Sequence, residues 1–294
     1  PRRLQPVHLP WPELRPRLAP PSPSPPWLLL PSSLSPLRLP VLPWPWLLLP
    51  SSLSPLQLIV SESEPFREHK GWLRFGWNSY RWNDANWNND NVGPERWNKF
   101  QKATNIKFTD WHSPGDHILI MGQKEGDSSL VKIYEQGYDS IYNWIVDQII
   151  TIRQYTDRKI IIRPHPRNLD RGVKITTRIL DKLDVPNVEI STNLTRGGSQ
   201  GGEGLDADLA NCHCVVTYNS LSGVEAVVKG IPVFALDGGS MVHPIAHHHL
   251  KDIENINYDI DLQDWKNKIA YSMWNKKDVQ TGECWTHLKG VYFK

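Results

Sequence analysis

The first sixty residues contain no glycine and only one acidic residue, Glu13, while holding seventeen of the chain's 25 prolines. Proline removes backbone donors and biases the preceding residue away from helix, so neither helix nor sheet propagates through this density. Long apolar runs are also missing. A secretory signal needs about 7 to 15 consecutive apolar residues and a small-residue cleavage site, and a membrane span needs about 20. Proline breaks every candidate run, and residues 27–50 are interrupted by serine, arginine and six prolines. Arg2, Arg3 and the leucine triplets therefore make no signal, and no stable membrane insertion is expected. The block at residues 27–37 returns unchanged at 46–56, and two copies cannot build a solenoid. Residues 1–60 are expected to be a disordered, low-complexity Pro/Leu-rich tail or a gene-boundary artefact, and the first residue, which is not methionine, favours the artefact.

Cysteine is scarce. Cys212, Cys214 and Cys284 form an odd set without a disulfide pattern, as expected of a reducing cytoplasm. A basic excess is missing once the tail is set aside. Five arginines and Glu13 give residues 1–60 a charge of +4, so residues 61–294 carry about −2 of the total +2. The pI of about 8.5 is thus no sign of a nucleic acid partner. The glycine-rich stretch 196–204 lacks both the Walker lysine and a G-x-G-x-x-G spacing, and reads as a flexible surface loop. Cys212-His213-Cys214 with His247-His248-His249 invites a zinc reading. Strand alternation would let Cys212 and Cys214 share a face but turn His213 away, so no metal site is expected.

What the chain does have is tryptophan followed by a regular alternation of strand and helix signals. Trp72, Trp77, Trp82 and Trp87 recur every five residues within a polar, asparagine-rich stretch. Five matches neither the helical nor the strand period. Such rings either stack sugars or bases or plug a small, loop-rich region against a larger core; packing is the preferred reading. The expected organisation is the tail (1–60), a partial Trp/Asn-rich amino-terminal region (61–115) and a Rossmann-like domain (116–294). In that domain strands are expected near 117–121, 159–163, 187–191, 214–218 and 231–236. Helices are expected near 138–155, 173–183, 205–211, 222–229, 261–274 and 278–289. This alternation calls for an α/β fold, a parallel sheet with helices on both faces.

Three strand ends carry chemistry, and open α/β sheets bind ligands at the carboxyl ends of their strands. Arg163-Pro164-His165-Pro166-Arg167 follows one strand; the prolines stiffen the turn and hold the imidazole outward, while the arginines lend charge for a phosphate. Gly122-Gln123-Lys124-Glu125-Gly126-Asp127-Ser128-Ser129 follows another, and Asp127 or Glu125 offers a base for an acceptor hydroxyl. Asn219, Ser220 and Ser222 follow a third. Ser222 and Glu225 have the spacing of a capping box, which marks a helix start whose free N–H groups suit phosphate.

The ordered combination of Gly122-Gln123-x-x-x-Asp127-Ser128-Ser129, Arg163-Pro164-His165-Pro166 and Asn219-Ser220-Leu221-Ser222-Gly223-Val224-Glu225-Ala226, then Gly230-Ile231-Pro232-Val233, resembles the capsule polysaccharide biosynthesis glycosyltransferases. These include bacterial Kdo transferases and phage relatives. The likeness spans roughly residues 115–290. It implies a GT-B-like arrangement in which this sheet is the donor domain, and a nucleotide-activated sugar, commonly CMP-linked, as donor. It also implies that Asp127 is the catalytic carboxylate, that His165 contacts the donor phosphate, and that Ser220 and its neighbours bind the nucleotide. Two departures stand out: Asn219-Ser220 replaces a common Ser-Ser or Ser-Thr pair, and the amino-terminal acceptor domain is absent or reduced to residues 61–115. The expectation is therefore a cytoplasmic glycosyltransferase acting on a glycan or other hydroxyl acceptor, without a cofactor or metal. Asp127 and His165 are its catalytic residues, and Gln123, Ser128, Arg163, Arg167, Asn219, Ser220, Ser222 and Glu225 its nucleotide or phosphate contacts. The alternatives are a noncatalytic nucleotide- or glycan-binding module from a shortened gene, and a CDP-glycerol-type glycerophosphotransferase.

Overall fold

A computed structural model describes residues 57–111, 115–194 and 203–292. Most of the amino-terminal tail and the larger part of the glycine-rich stretch 196–204 lie outside the described residues. In chain order the elements are β1 (Ile59–Glu62), β2 (Trp72–Trp77), α1 (Glu95–Thr104), β3 (His117–Met121), α2 (Val131–Glu135), α3 (Ile141–Ile152), β4 (Lys159–Arg163), α4 (Leu169–Leu183) and β5 (Val188–Ile190). They continue with α5 (Glu203–Leu209), β6 (Cys212–Thr217), α6 (Ser222–Val228), β7 (Val233–Ala235), α7 (Leu262–Ala270), β8 (Met273–Asn275), α8 (Lys276–Gln280) and α9 (Glu283–Lys289). Strand β1 starts at Ile59, so the last residues assigned to the tail enter the fold. No helix among the described residues is long and apolar enough to cross a membrane.

Five strands form a parallel sheet in the order β5-β4-β3-β6-β7. The chain moves outward from β3 through β4 to β5, then returns to the other side of β3 for β6. The strand order therefore reverses between β3 and β6, the position where such sheets open a ligand crevice. Two apolar layers cover the sheet, as the near-continuous apolar strands require. On one face Ile118, Ile120, Ile160, Ile162, Val216 and Phe234 pack against Ile141, Ile145, Ile149 and Ile152 of α3. On the other, Leu119, Met121, Val215, Val233 and Ala235 pack with Leu205, Val224, Trp265 and the aromatic side chains of residues 66–108. The α/β architecture with helices on both faces is the one expected.

Trp72, Trp77, Trp82 and Trp87 are all buried. Trp72, Trp82 and Trp87 join the same core as the sheet, and Trp77 joins a smaller one with Trp274 and Leu288. The rings serve packing, and none is an exposed stacking platform.

The carboxyl-terminal stretch departs from expectation. The helix expected over 261–274 ends at Ala270, and Met273–Asn275 instead pairs antiparallel with β2, giving a three-stranded sheet β1-β2-β8. Asn275 then forms a capping box with Asp278 that starts α8. The helix expected over 278–289 is split because Gly282 sits at φ +77°, in the left-handed region natural to glycine. These signals are local, but the pairing partner of β8 lies some two hundred residues away in sequence.

Arg96 of α1 clamps this region. Its guanidinium lies 3.5 Å from the centroid of the Trp274 ring and donates to the carbonyls of Ala270 and Met273, to Asp278 and to Glu283. Asp278 is almost wholly buried and also accepts from Lys99. Truncation of a buried cation strands its partner. Arg96→Met is expected to lower the unfolding free energy of the full chain by about 3 kcal/mol or more in urea denaturation, whereas Lys99→Met, at the exposed end of the network, costs about 1 kcal/mol or less.

Candidate functional site

A polar cleft opens at the carboxyl ends of β3, β4 and β6. It is lined by Gln123, Lys124, Asp127, Ser128 and Ser129 after β3, by His165 and Arg167 after β4, and by Asn219, Ser220 and Leu221 after β6. Glu62, Ser63, Arg67, Arg74, Tyr80 and Arg81 close it from the tryptophan-rich segment. Gly122 allows the first two loops to meet. Its N–H donates to the Arg163 carbonyl at 2.8 Å, and a Cβ there would lie 2.9 Å from that oxygen.

Asp127 caps the short helical turn that follows it. One carboxylate oxygen accepts from the Ser129 N–H at 2.9 Å, and the other makes no hydrogen bond to a described residue. The Ser128 hydroxyl pairs with that of Tyr80 at 2.7 Å. His165 accepts the Arg167 N–H on Nδ1 at 3.2 Å, so the neutral ring carries its proton on Nε2 as a donor. Burial pushes the imidazole down to about 4, and Arg67, Arg167 and Lys124 push the same way against Asp127. Near pH 7 the ring is therefore neutral, and the positive charge of the cleft resides on arginine and lysine.

Asn219 and Gln123 hold one another. Gln123 Oε1 accepts from the Asn219 N–H, and Gln123 Nε2 donates to Asn219 Oδ1 and to the Ser129 hydroxyl. Asn219 Nδ2 donates to the Ser129 carbonyl and to Asp237. Neither amide retains a donor for a ligand. Both line the cleft, but their role is to fix the loops. Asp237 also accepts both oxygens' worth of contact from Arg81 Nη2, at 2.9 and 2.8 Å, and Arg81 reaches the Ser129 carbonyl as well.

Three residues expected at the site stand elsewhere. Arg163 is buried and bound to Asp208, with further contacts to the carbonyls of Asn193 and Gly204; it ties β4 to α5 and does not line the cleft. Ser222 and Glu225 form no capping box. Leu221 is the N-cap of α6, with no side-chain cap, and the Ser222 N–H bonds to the Ser220 hydroxyl. Glu225 is buried with neither oxygen hydrogen-bonded to a described residue, and burial pushes its carboxyl up to about 7 despite attraction from Arg67.

The cysteine reading also changes. Strand β6 carries a register irregularity opposite His117 and Ile118, with Cys212 facing the first and Cys214 the second. The extra residue puts Cys212 and Cys214 in cores on opposite faces of the sheet. His213 bonds to the Ile253 carbonyl and His248 to that of Ala235. Among the described residues, no cluster of three or more His, Cys, Asp or Glu side chains is placed to hold a metal.

Sequence reasoning missed Arg67, Arg74, Tyr80, Arg81 and Asp237. The first four lie in irregular or antiparallel chain whose approach to the sheet edge has no local signal. Asp237, two residues beyond the end of β7, could have been found by taking the carboxyl end of that strand as seriously as the other three.

The parallel sheet, the reversal of strand order and a polar cleft rich in cations at the sheet edge define the class: an α/β protein with a crevice at the switch point of its sheet. Residues 95–241, half of the chain, match the family described as capsule polysaccharide biosynthesis protein, and the chain belongs to that family. The matched span starts in α1, so it includes part of the segment ahead of the parallel sheet. Among solved structures, the chain is similar to Thermosulfurimonas dismutans KpsC, beta Kdo 2,7 transferase, at 16% identity and a TM-score of 0.45, covering 73% of this chain and 68% of that one. It is also similar to Thermosulfurimonas dismutans KpsC, beta Kdo 2,4 transferase, at 13% identity and a TM-score of 0.41, covering 76% and 78%. No curated protein matches the chain.

Glu225 yields a pH test. Its carboxyl titrates higher in the folded chain, about 7, than the ordinary 4.5, so between these values the folded state binds more protons than the unfolded one. Stability is then lost as pH rises through the window. Glu225→Gln is expected to match the wild type near pH 4.5 and to be more stable above pH 7 by on the order of 3 kcal/mol. Urea unfolding across that range measures the gap, and a gap independent of pH would contradict the assignment.

Proposed function

We propose that the chain is a glycosyltransferase that moves a sugar from a nucleotide-activated donor, CMP-linked by preference, to a hydroxyl acceptor in capsule or related surface polysaccharide biosynthesis. The observation that carries this reading is the meeting of Asp127, His165 and Ser220 in one cleft at the switch point, surrounded by cations. Family membership supports the biological setting.

The chemistry follows from the donor set. Breaking the bond between the anomeric carbon and the phosphate oxygen sends an electron pair to the leaving nucleotide. The Nε2–H of neutral His165 donates a hydrogen bond to that phosphate, and Arg167 and Lys124 offset its charge. The acceptor hydroxyl forms the new bond to carbon and gives its proton to the unoccupied oxygen of Asp127. Ser220 lines the cleft beside the nucleotide, its hydroxyl held by the hydroxyl and the N–H of Ser222. Gln123, Asn219 and Arg81 keep the three loops in register, which preserves the reacting geometry. Each of these steps is carried by side chains of the chain itself.

A panel of CMP-, UDP- and GDP-linked sugars, assayed with the full chain for donor hydrolysis and for transfer, tests the reading. Asp127→Ala and His165→Ala are each expected to lower turnover by about a hundredfold or more. Undiminished turnover in both variants would overturn the assignment, and tight CMP binding with no turnover of any donor would recast the protein as a binding module.

A further inference from the structure

Helix α4 leaves the cleft just after the turn that carries His165 and covers the outside of the sheet. Its inner side is spent on packing: Gly172 and Thr176 are buried, and Ile175, Ile179, Leu180 and Leu183 pack against the core shared with α3. Its outer side is basic. Arg171, Lys174, Arg178 and Lys182 are all exposed and follow one another at spacings of three, four and four residues, which aligns them in one stripe along the helix. From Arg171 to Lys182 the stripe runs about 16 Å, at about 1.5 Å per residue. Asp170 and Asp181, also exposed, stand about three turns apart on one flank and border the stripe on that side.

None of these four cations forms an ion pair with a described residue. Arg171 is near enough to Glu125 to draw that carboxyl's titration down, but Lys174, Arg178 and Lys182 stand farther along the helix. Like charges four residues apart on a helix repel and destabilise it, and those three side chains repeat that spacing twice. Residues 61–294 as a whole carry a slight negative charge. The stripe is therefore a local concentration of positive charge on a body that is not basic, held at a cost in helix stability.

We propose that this stripe is a docking track for a polyanionic glycan, a linear acceptor whose repeating sugars carry carboxylates, and that it leads the end of that chain to the cleft. This rests on the transferase assignment of the cleft and adds the class of its acceptor. Charge complementarity sets the sign of the partner, and the shape of the stripe sets its form. A single row of cations bordered by carboxylates matches a chain better than a plane. Helices that lie on membranes place large apolar side chains at the same surface, and none of the exposed large apolar side chains lies on α4. A nucleic acid partner calls for a strongly basic domain. Arg167, four residues before Arg171, lines the cleft with His165 and Asp127 and joins the track to it. Exposed cations each contribute little, but successive contacts to one chain act together, because binding of one repeat raises the effective concentration of the next.

Fluorescence anisotropy of labelled polygalacturonate, titrated with the full chain at low ionic strength, tests this. Binding is expected to weaken steeply as salt rises and to resist competition by free galacturonate and by neutral dextran. The triple variant Lys174→Gln/Arg178→Gln/Lys182→Gln places good helix formers at exposed sites and is expected to weaken binding about tenfold or more. Lys174→Arg/Lys182→Arg keeps both charges and is expected to stay within about threefold of wild type. Donor hydrolysis is expected to be unchanged in both variants, because these side chains do not line the cleft. Absence of polygalacturonate binding, or equal binding by wild type and triple variant, overturns the track. Tighter stripe-dependent binding of oligo(dT) or of phosphatidylglycerol vesicles than of polygalacturonate overturns the glycan assignment. If no donor is turned over but polygalacturonate still binds through the stripe, the transferase assignment fails and the track stands.

Discussion

Arg81 reaches from the tryptophan-rich segment to the carboxyl edge of the parallel sheet and meets Asp237 in an ion pair with both side chains buried. The same guanidinium contacts Asp84 and the Ser129 carbonyl. Asp237 in turn accepts from Asn219 and from the Gly239 N–H. Through these contacts the loops after β3, β6 and β7 are tied to a segment that otherwise has no part in the sheet. Isolated buried charges are costly, so neither partner tolerates loss of the other. Burial alone would lower the titration of Arg81, but its bonds to Asp84 and Asp237 raise it. Arg81 therefore keeps its positive charge, and the position of Asp127 relative to Ser220 depends on the pair.

This frame divides labour within the cleft. The amides of Gln123 and Asn219 spend their donors on each other, on Ser129 and on Asp237. Asp127, His165, Lys124, Arg167 and Arg74 keep polar atoms directed to the cleft. Fully satisfied buried networks are rigid, and a rigid frame lets a few exposed groups hold a reacting geometry without reorganisation. Asparagine at position 219 supports this role directly, because its two donors reach two separate loops at once. A serine hydroxyl has only one.

Much of the fold was legible because its signals are local. Runs such as Ile118–Ile120 and Ile160–Ile162, each followed by glycine or proline, mark buried parallel strands, and the stripe from Ile141 to Ile152 marks a covering helix. The polar strand ends meet at one edge of the sheet. Where reading failed, a distant partner or a backbone detail intervened. Arg163 has the sequence context of a phosphate ligand, but Asp208 lies close enough to claim it. Ser222 and Glu225 have capping spacing, but the helix takes Leu221 as its cap. Cys212 and Cys214 have strand alternation, but an irregularity sends them to opposite faces.

The sequence by itself determined the alternation of strands and helices, and hence a parallel sheet with chemistry gathered at its carboxyl edge. Both follow from periodicity and from turn residues that act over a few neighbours. Only the tertiary structure decided that residues 62–81 would close the cleft, that β8 would pair with β2, and which arginines would line the cleft rather than bind an internal carboxylate. Those outcomes depend on contacts between residues far apart in the chain, such as Arg81 with Asp237, whose energies are set by burial and mutual distance and leave no periodic trace in the sequence.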